Sequence, residues 1–315
     1  MCYGVPLDAA AEFGLTCTSP HKTLLIQNRF DQELSVATFD SLSYRERAGI
    51  SDVTRALVIM SAVSNSRTIQ PQNRQITQTL FCFPYAGGAA SIYRDWGNKL
   101  PSNIQVHPVQ LPGHGNRLKE PLFKSLHALV ESIAQELMPY LKGSFAFFGH
   151  SMGAIISFEL AQLLRRENKP GPSHLFLSGR PCPHLTEKEA PTYNLPETEF
   201  IEELKRMGGT SKEVLEHPEL MSVLSPILRA DLEVCQTYEC EPRPPLDCPI
   251  TVFGGLQDEE VSREQLEGWR DYTTSSFAVR MFPGNHFYLH SAAHVLLRLI
   301  VQDLRNMSGG NSQTR

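Results

Sequence analysis

The chain has 315 residues, 41% of them hydrophobic and 20% charged, with 29 Lys and Arg against 34 Asp and Glu. That is a globular composition, long enough for one large α/β domain or two smaller ones. A formal net charge of -5 with no basic block excludes the ordinary nucleic-acid binder.

In chain order, residues 1–75 show no sustained periodicity and read as an irregular extension. The opening MCYGVPLDAAAEFG carries Asp8 and Glu12 and lacks a positive cluster, so it is not a secretory signal. The apolar run Ala56–Val63 is far short of the ~20 residues that span a bilayer. Ser64–Gln78 is rich in Ser, Asn, Gln and Arg and reads as a linker or frayed terminus. From Thr79 onward, short apolar runs alternate with amphipathic patterns, which predicts a mostly parallel sheet covered by helices on both faces. Strands are predicted at Leu80–Phe83, Gln105–Gln110, Phe145–Phe148, His174–Ser178, Ile250–Phe253 and Ala278–Phe282. Leu126, Leu129, Val130, Ile133, Leu137 and Leu141 share one helical face. Further helices are expected at Ala154–Arg166 and Val295–Leu304. Residues 183–247 break the alternation with helical patterns at Glu199–Met207 and Glu219–Tyr238, the second interrupted by Pro226, and no strand. They predict a cap or lid over one sheet edge, and 308–315 reads as a disordered tail. The seven cysteines (Cys2, Cys17, Cys82, Cys182, Cys235, Cys240 and Cys248) are odd in number and scattered. They fit reduced thiols of a cytoplasmic protein better than a disulfide framework or a zinc site.

The segment Phe145-Ala-Phe-Phe-Gly-His-Ser-Met-Gly153 places Gly149-x-Ser151-x-Gly153 between an apolar strand and a helix. A serine on so sharp a turn projects its Oγ beyond the carboxyl edge of the sheet, and the crowded turn needs small residues two before and two after. Such a nucleophile needs a base and an orienting acid, in chain order Ser, Asp or Glu, His. Asp258 follows the strand Ile250–Phe253, with Glu259 and Glu260 as neighbours that could serve instead. His286 follows the strand Ala278–Phe282. Asp231 falls inside the cap and reads as a surface or helix-pairing residue. His150 sits in the turn and cannot readily reach back to Ser151, while His290 and His294 read as helix-face histidines. Two backbone N–H groups should stabilise an oxyanion: that of Met152, and one from Phe83-Pro-Tyr-Ala-Gly-Gly88, where Ala86 is the choice and Tyr85 the alternative. The pattern names no metal and no cofactor.

FCFPYAGGAASIYRDW (81–96), VQLPGHGNR (109–117), FAFFGHSMGA (145–154), HLFLSGRPCPHL (174–185) and FPGNHFYL (282–289) together resemble the type II thioesterases. These stand-alone enzymes of the α/β-hydrolase fold accompany nonribosomal peptide and polyketide synthetases, and the medium-chain thioesterases of fatty-acid synthase are similar. The resemblance spans about residues 79–305. It implies a nucleophile, acid and base at Ser151, Asp258 and His286, a helical lid at about 183–247, and a domain over 76–307. It also implies hydrolysis of acyl thioesters on the phosphopantetheine of acyl or peptidyl carrier proteins, by a monomer without nucleic-acid or membrane partners. Many relatives read Leu-Pro-Gly-Arg where this chain has Leu-Pro-Gly-His114, with Arg117 nearby. Leu220, Met221, Leu224, Ile227 and Leu228 of the lid would offer an apolar surface to the acyl chain. The first 60 or so residues match nothing in the family. Ser41–Glu46 and Asp40–Leu42 are short matches to adenylating enzymes and to a carrier attachment site. A translation start at Met60 would leave a product of family size. An oxygen-ester hydrolase and a non-catalytic binding protein of the same fold are the competing expectations.

Overall fold

The computed structural model describes residues 76–185 and 190–309, together with three short strands nearer the N-terminus. The chain divides into two compact units, Met1–Thr68 and Ile69–Arg315. In the first, β1 (Leu15–Thr16), β2 (Leu24–Ile26) and β3 (Ser35–Ala37) pair antiparallel in that order, in a stretch where the sequence announces no element. The short matches at 40–46, the linker reading of 64–75 and Met60 lie outside the described residues.

The second unit is built on a six-stranded parallel sheet. Its strands are β4 (Gln78–Phe83), β5 (Ile104–Pro108), β6 (Phe145–His150), β7 (Leu175–Ser178), β8 (Ile250–Gly255) and β9 (Phe277–Phe282). They lie in the order β5-β4-β6-β7-β8-β9. All six predicted strands are present, with bounds shifted by one or two residues. The central strands read as continuous apolar runs because both faces are covered. Alternate residues point to opposite sides, so the sheet separates two cores. Phe81, Phe83, Phe145, Phe147, Leu175 and Val252 face α1 (Leu126–Leu137), α2 (Met152–Arg166) and Trp269. Leu80, Cys82, Phe148, Phe176 and Phe253 face Tyr93, Trp96 and the closing helix.

The cap between β7 and β8 holds α3 (Glu197–Met207), α4 (Lys212–Leu215) and α5 (Pro218–Gln236). Phe200, Leu204, Leu215, Met221, Leu228 and Leu232 give it a small core of its own. Pro226 does not interrupt α5, which runs for 19 residues. Its ring lies on the exposed side, where the carbonyl it leaves without a donor can turn to water. Buried residues on either side, Met221, Ser225, Ile227 and Leu228, keep the helix continuous through it. After β8 come α6 (Arg263–Glu267) and, after β9, α7 (Ala293–Gly309), which runs past 308 into the predicted tail. Among the described residues no helix is long and apolar enough to cross a membrane.

Candidate active site

Parallel strands send all their carboxyl ends to one edge, so the turns after β4, β6, β7, β8 and β9 open together. Ser151 lies between β6 and α2 with φ 54° and ψ -112°. A non-glycine residue is held there only by its surroundings. Here those are a fully buried strand before it and a buried helix after it. A Cβ on Gly149 would lie 1.9 Å from the Gly153 carbonyl oxygen, and one on Gly153 would lie 2.1 Å from that of Phe83. The Ser151 N–H donates to the Ser178 carbonyl at 2.7 Å, which ties the turn to β7. Met152 opens α2, so its N–H has no acceptor within the helix.

The turns after β8 and β9 are cross-braced. Leu256 N–H donates to Phe282 O (2.7 Å) and Gln257 N–H to Gly284 O (2.9 Å). The Gln257 side chain returns the tie by accepting from Gly284 N–H. This bracing sets His286 Nδ1 2.8 Å from Asp258 Oδ2. The other carboxylate oxygen of Asp258 accepts the Glu260 N–H at 3.0 Å. The carboxylate accepts, so Nδ1 carries the proton and Nε2 keeps its lone pair. Glu259 and Glu260 are exposed, and Asp258 is the acid that meets the imidazole. His286 and Asp258 are nearly enclosed: their side chains are 10% and 0% exposed.

His150 is spent elsewhere. Its Nδ1 lies 2.8 Å from Ser178 Oγ, which in turn bonds to the Tyr288 hydroxyl. Burial keeps this imidazole well below its ordinary range, and the neighbouring His286 and His290 push it the same way. It therefore packs as a neutral ring 5.0 Å from that of His286. His290 reaches the Tyr85 hydroxyl at 3.1 Å, and His294 sits beside Arg298.

The turn after β4 is fixed from several sides. Gly88 N–H donates to Tyr85 O (2.9 Å), with Gly87 at φ +73° as such a turn demands. Tyr93 OH donates to Phe83 O (2.8 Å), and Ala90 N–H to the Gln110 side chain (3.1 Å). The last tie comes from the cap: Gly87 N–H donates to Asp231 Oδ2 at 2.7 Å. Asp231 is thus neither a surface residue nor paired within its own helix. It is buried, and the same oxygen lies 2.8 Å from His114 Nε2. One signal in the sequence points to it, a carboxylate on the apolar face of α5 between Leu228 and Leu232.

A cavity of about 960 Å³ joins these parts, lined by Tyr85, Ala86, Ser151, Asp258 and His286 at its base. Over them the cap supplies Leu204, Met207, Leu228 and Leu232, with Arg180 and Tyr238 as polar walls. Of the five cap residues expected to face an acyl chain, Leu228 does so. Met221 packs in the cap's own core, Ile227 is buried, and Leu220 and Leu224 are half-buried.

The family model for the thioesterase domain matches residues 78–304. The chain belongs to the thioesterase family. Linear gramicidin dehydrogenase LgrE of Brevibacillus parabrevis is 44% identical over 230 residues, which cover 72% of this thioesterase and 88% of LgrE. The thioesterase RedJ, from the prodiginine pathway of Streptomyces coelicolor, superposes with a TM-score of 0.69 at 39% identity. The match covers 77% of this chain and 98% of RedJ. YbtT, a type II thioesterase of the yersiniabactin NRPS/PKS pathway, gives 0.68 at 29% identity, over 76% of this chain and 97% of its own. The mostly parallel sheet expected from the alternation, and the α/β-hydrolase fold implied by the resemblance, are the architecture of these thioesterases.

Proposed function

We propose that this protein is a type II thioesterase that hydrolyses acyl groups from the phosphopantetheine arm of acyl or peptidyl carrier proteins. Its task is to clear stalled or misprimed acyl groups from a nonribosomal peptide or polyketide synthetase in the cytoplasm. The observation that carries the chemistry is the Asp258–His286 pair, which lines the same cavity as Ser151.

In the proposed cycle His286 Nε2 takes the Ser151 proton as Oγ attacks the thioester carbonyl. Asp258 keeps the tautomer and stabilises the imidazolium. The N–H groups of Ala86 and Met152 receive the negative charge that develops on the carbonyl oxygen. Collapse breaks the C–S bond, and the sulfur leaves with the proton held by His286. Water then gives its proton to His286 and its oxygen to the acyl carbon, which releases the acid and restores Ser151. A thiol, with a pKa of about 8.5, needs less help in leaving than an amine does. The cycle draws on protein groups and water alone.

Two features of the molecule separate this reading from its rivals. The turn after β4 reads Pro84-Tyr-Ala-Gly-Gly88. A dinucleotide fold would carry Gly-x-Gly-x-x-Gly there, so the dehydrogenase in the name of LgrE finds no such counterpart here. A plain binding protein, for its part, has no use for a strained serine, a tautomer-fixed imidazole and a buried carboxylate on one rim. The test is hydrolysis of a panel of acyl-phosphopantetheinyl carriers, short to long, beside matched oxygen esters. The wild type should prefer the thioesters, and Ser151→Ala should lose at least about 10³-fold in kcat. Undiminished thioester hydrolysis by that variant, or a preference for oxygen esters, refutes the assignment.

A further inference from the structure

Asp231 stands where the pattern of α5 asks for an apolar side chain, and it is 3% exposed. Its Oδ2 accepts the Gly87 N–H at 2.7 Å and lies 2.8 Å from His114 Nε2. His114 Nδ1 lies 2.8 Å from the Pro112 carbonyl oxygen. A carbonyl has no proton to give, so Nδ1 is the donor there. Nε2 faces a carboxylate oxygen, which when ionised has none to give either. The short Nε2–Oδ2 approach therefore needs one more proton than a neutral imidazole and a carboxylate hold between them. The bridge is an imidazolium–carboxylate pair, enclosed on both sides at 4% side-chain exposure.

A buried ion pair returns little net stability, because desolvation offsets most of the attraction. What it contributes is position. Gly87 follows Ala86 in the turn, and α5 touches that turn twice: through Asp231, and through Leu228, whose Cδ2 would lie 2.5 Å from a Cβ at Gly87. We propose that Asp231, held by His114, is a positioning residue that fixes the turn carrying the Ala86 N–H, so that the oxyanion hole is complete only while the cap helix is seated. This rests on the hydrolase reading of Ser151 and of the turn after β4.

Protonation governs the bridge. Burial pushes His114 down, but the bond to Asp231, its charge and the Pro112 carbonyl outweigh that and raise it above its ordinary range. As pH climbs through that raised value, Nε2 loses its proton and two lone pairs meet. Among the described residues, Asp231 is the charged group that faces His114. Arg117 on the same loop is engaged with Glu120 and Glu136. Lys124 and Glu233 pair with each other. Cys235, one turn further along α5, feels the charges of both Asp231 and Arg180, and its carbonyl accepts from Arg180 at 3.3 Å.

The experiment compares the wild type with Asp231→Ala, Asp231→Asn and His114→Gln from pH 6 to 10. The readouts are the rate at which a fluorophosphonate labels Ser151, and kcat and KM on a p-nitrophenyl ester. Neither depends on a thioester substrate. Asp231→Ala should slow labelling and kcat by on the order of 10- to 100-fold, part of what losing an oxyanion donor costs, with KM within about threefold. Asp231→Asn can still offer an oxygen to Gly87 and should recover much of that loss. His114→Gln keeps a donor toward Asp231 that does not titrate, so it should lose the alkaline fall in rate that the wild type shows. Circular dichroism and thermal melts identify folded variants, and Asp231→Asn, nearly isosteric, serves if Asp231→Ala fails to fold. A folded Asp231→Ala that labels at the wild-type rate, an Asp231→Asn no better than Asp231→Ala, a wild type without an alkaline fall, or a fall that His114→Gln retains each overturns the proposal. A wild type that labels yet cleaves no thioester would overturn the assigned substrate and leave this test standing.

Discussion

Gly149 and Gly153 have no room to become alanine. A methyl at 153 would press on the Phe83 carbonyl, and Phe83 begins the very turn that carries Ala86. Gly153→Ala should therefore cost at least about 100-fold in kcat, the scale set by a displacement of about 1 Å at a reacting centre. Ester kinetics on the folded variant check this. Asp258→Asn should cost on the order of 10³- to 10⁴-fold, because an amide no longer fixes the imidazole tautomer. Glu259 and Glu260, exposed while Asp258 is the carboxylate bonded to His286, should not substitute, and kcat measured across pH tests it. Ser151 and Asp258 were expected from the sequence for a local reason: each lies just past the end of a buried strand, and parallel strands deliver their ends to one rim. Asp231 and His114 were not, since their meaning lies in a contact made 117 residues apart along the chain. A carboxylate flanked by Leu228 and Leu232 says that something is buried with it, but not what.

The cap is tied to the body at its far end as well. Tyr238 and Arg243, just beyond α5, both bond to Glu159 on α2, at 2.7 and 2.6 Å. Glu159 is buried at 3% exposure, so its removal would leave a half-buried guanidinium without its best acceptor. Glu159→Ala should destabilise the fold by about 3 kcal/mol, as breaking an enclosed pair does, read from the midpoint of urea unfolding. Arg243 is half-buried, which places the cost at the low end of that range. The helices themselves were readable from periodicity, and the continuity of α5 was not. Whether a proline ends a helix depends on what grips the turns beside it, and here both adjoining turns are held in the cap's own core and against the turn after β4.

The sheet as a whole holds histidines that must stay neutral. His174 donates Nε2–H to Thr251 Oγ1, whose own proton goes to Asp303. Its Nδ1 is buried with no acceptor. Burial drives this imidazole from 6.5 to about 4, so the native state refuses a proton that the unfolded chain takes. Stability is then fully present above pH 6.5 and falls as the medium is acidified toward 4. By linkage this amounts to about 2 kcal/mol at pH 5. Unfolding free energies from urea titrations at pH 7.5 and pH 5 should differ by about that much, and His174→Gln should flatten the slope. The same sheet parts the two tryptophans of the chain, Trp96 in one core and Trp269 in the other. Single-tryptophan variants therefore supply two private optical reporters. With them, stopped-flow fluorescence can time when the layer beneath α2 dries out, independently of the layer behind it.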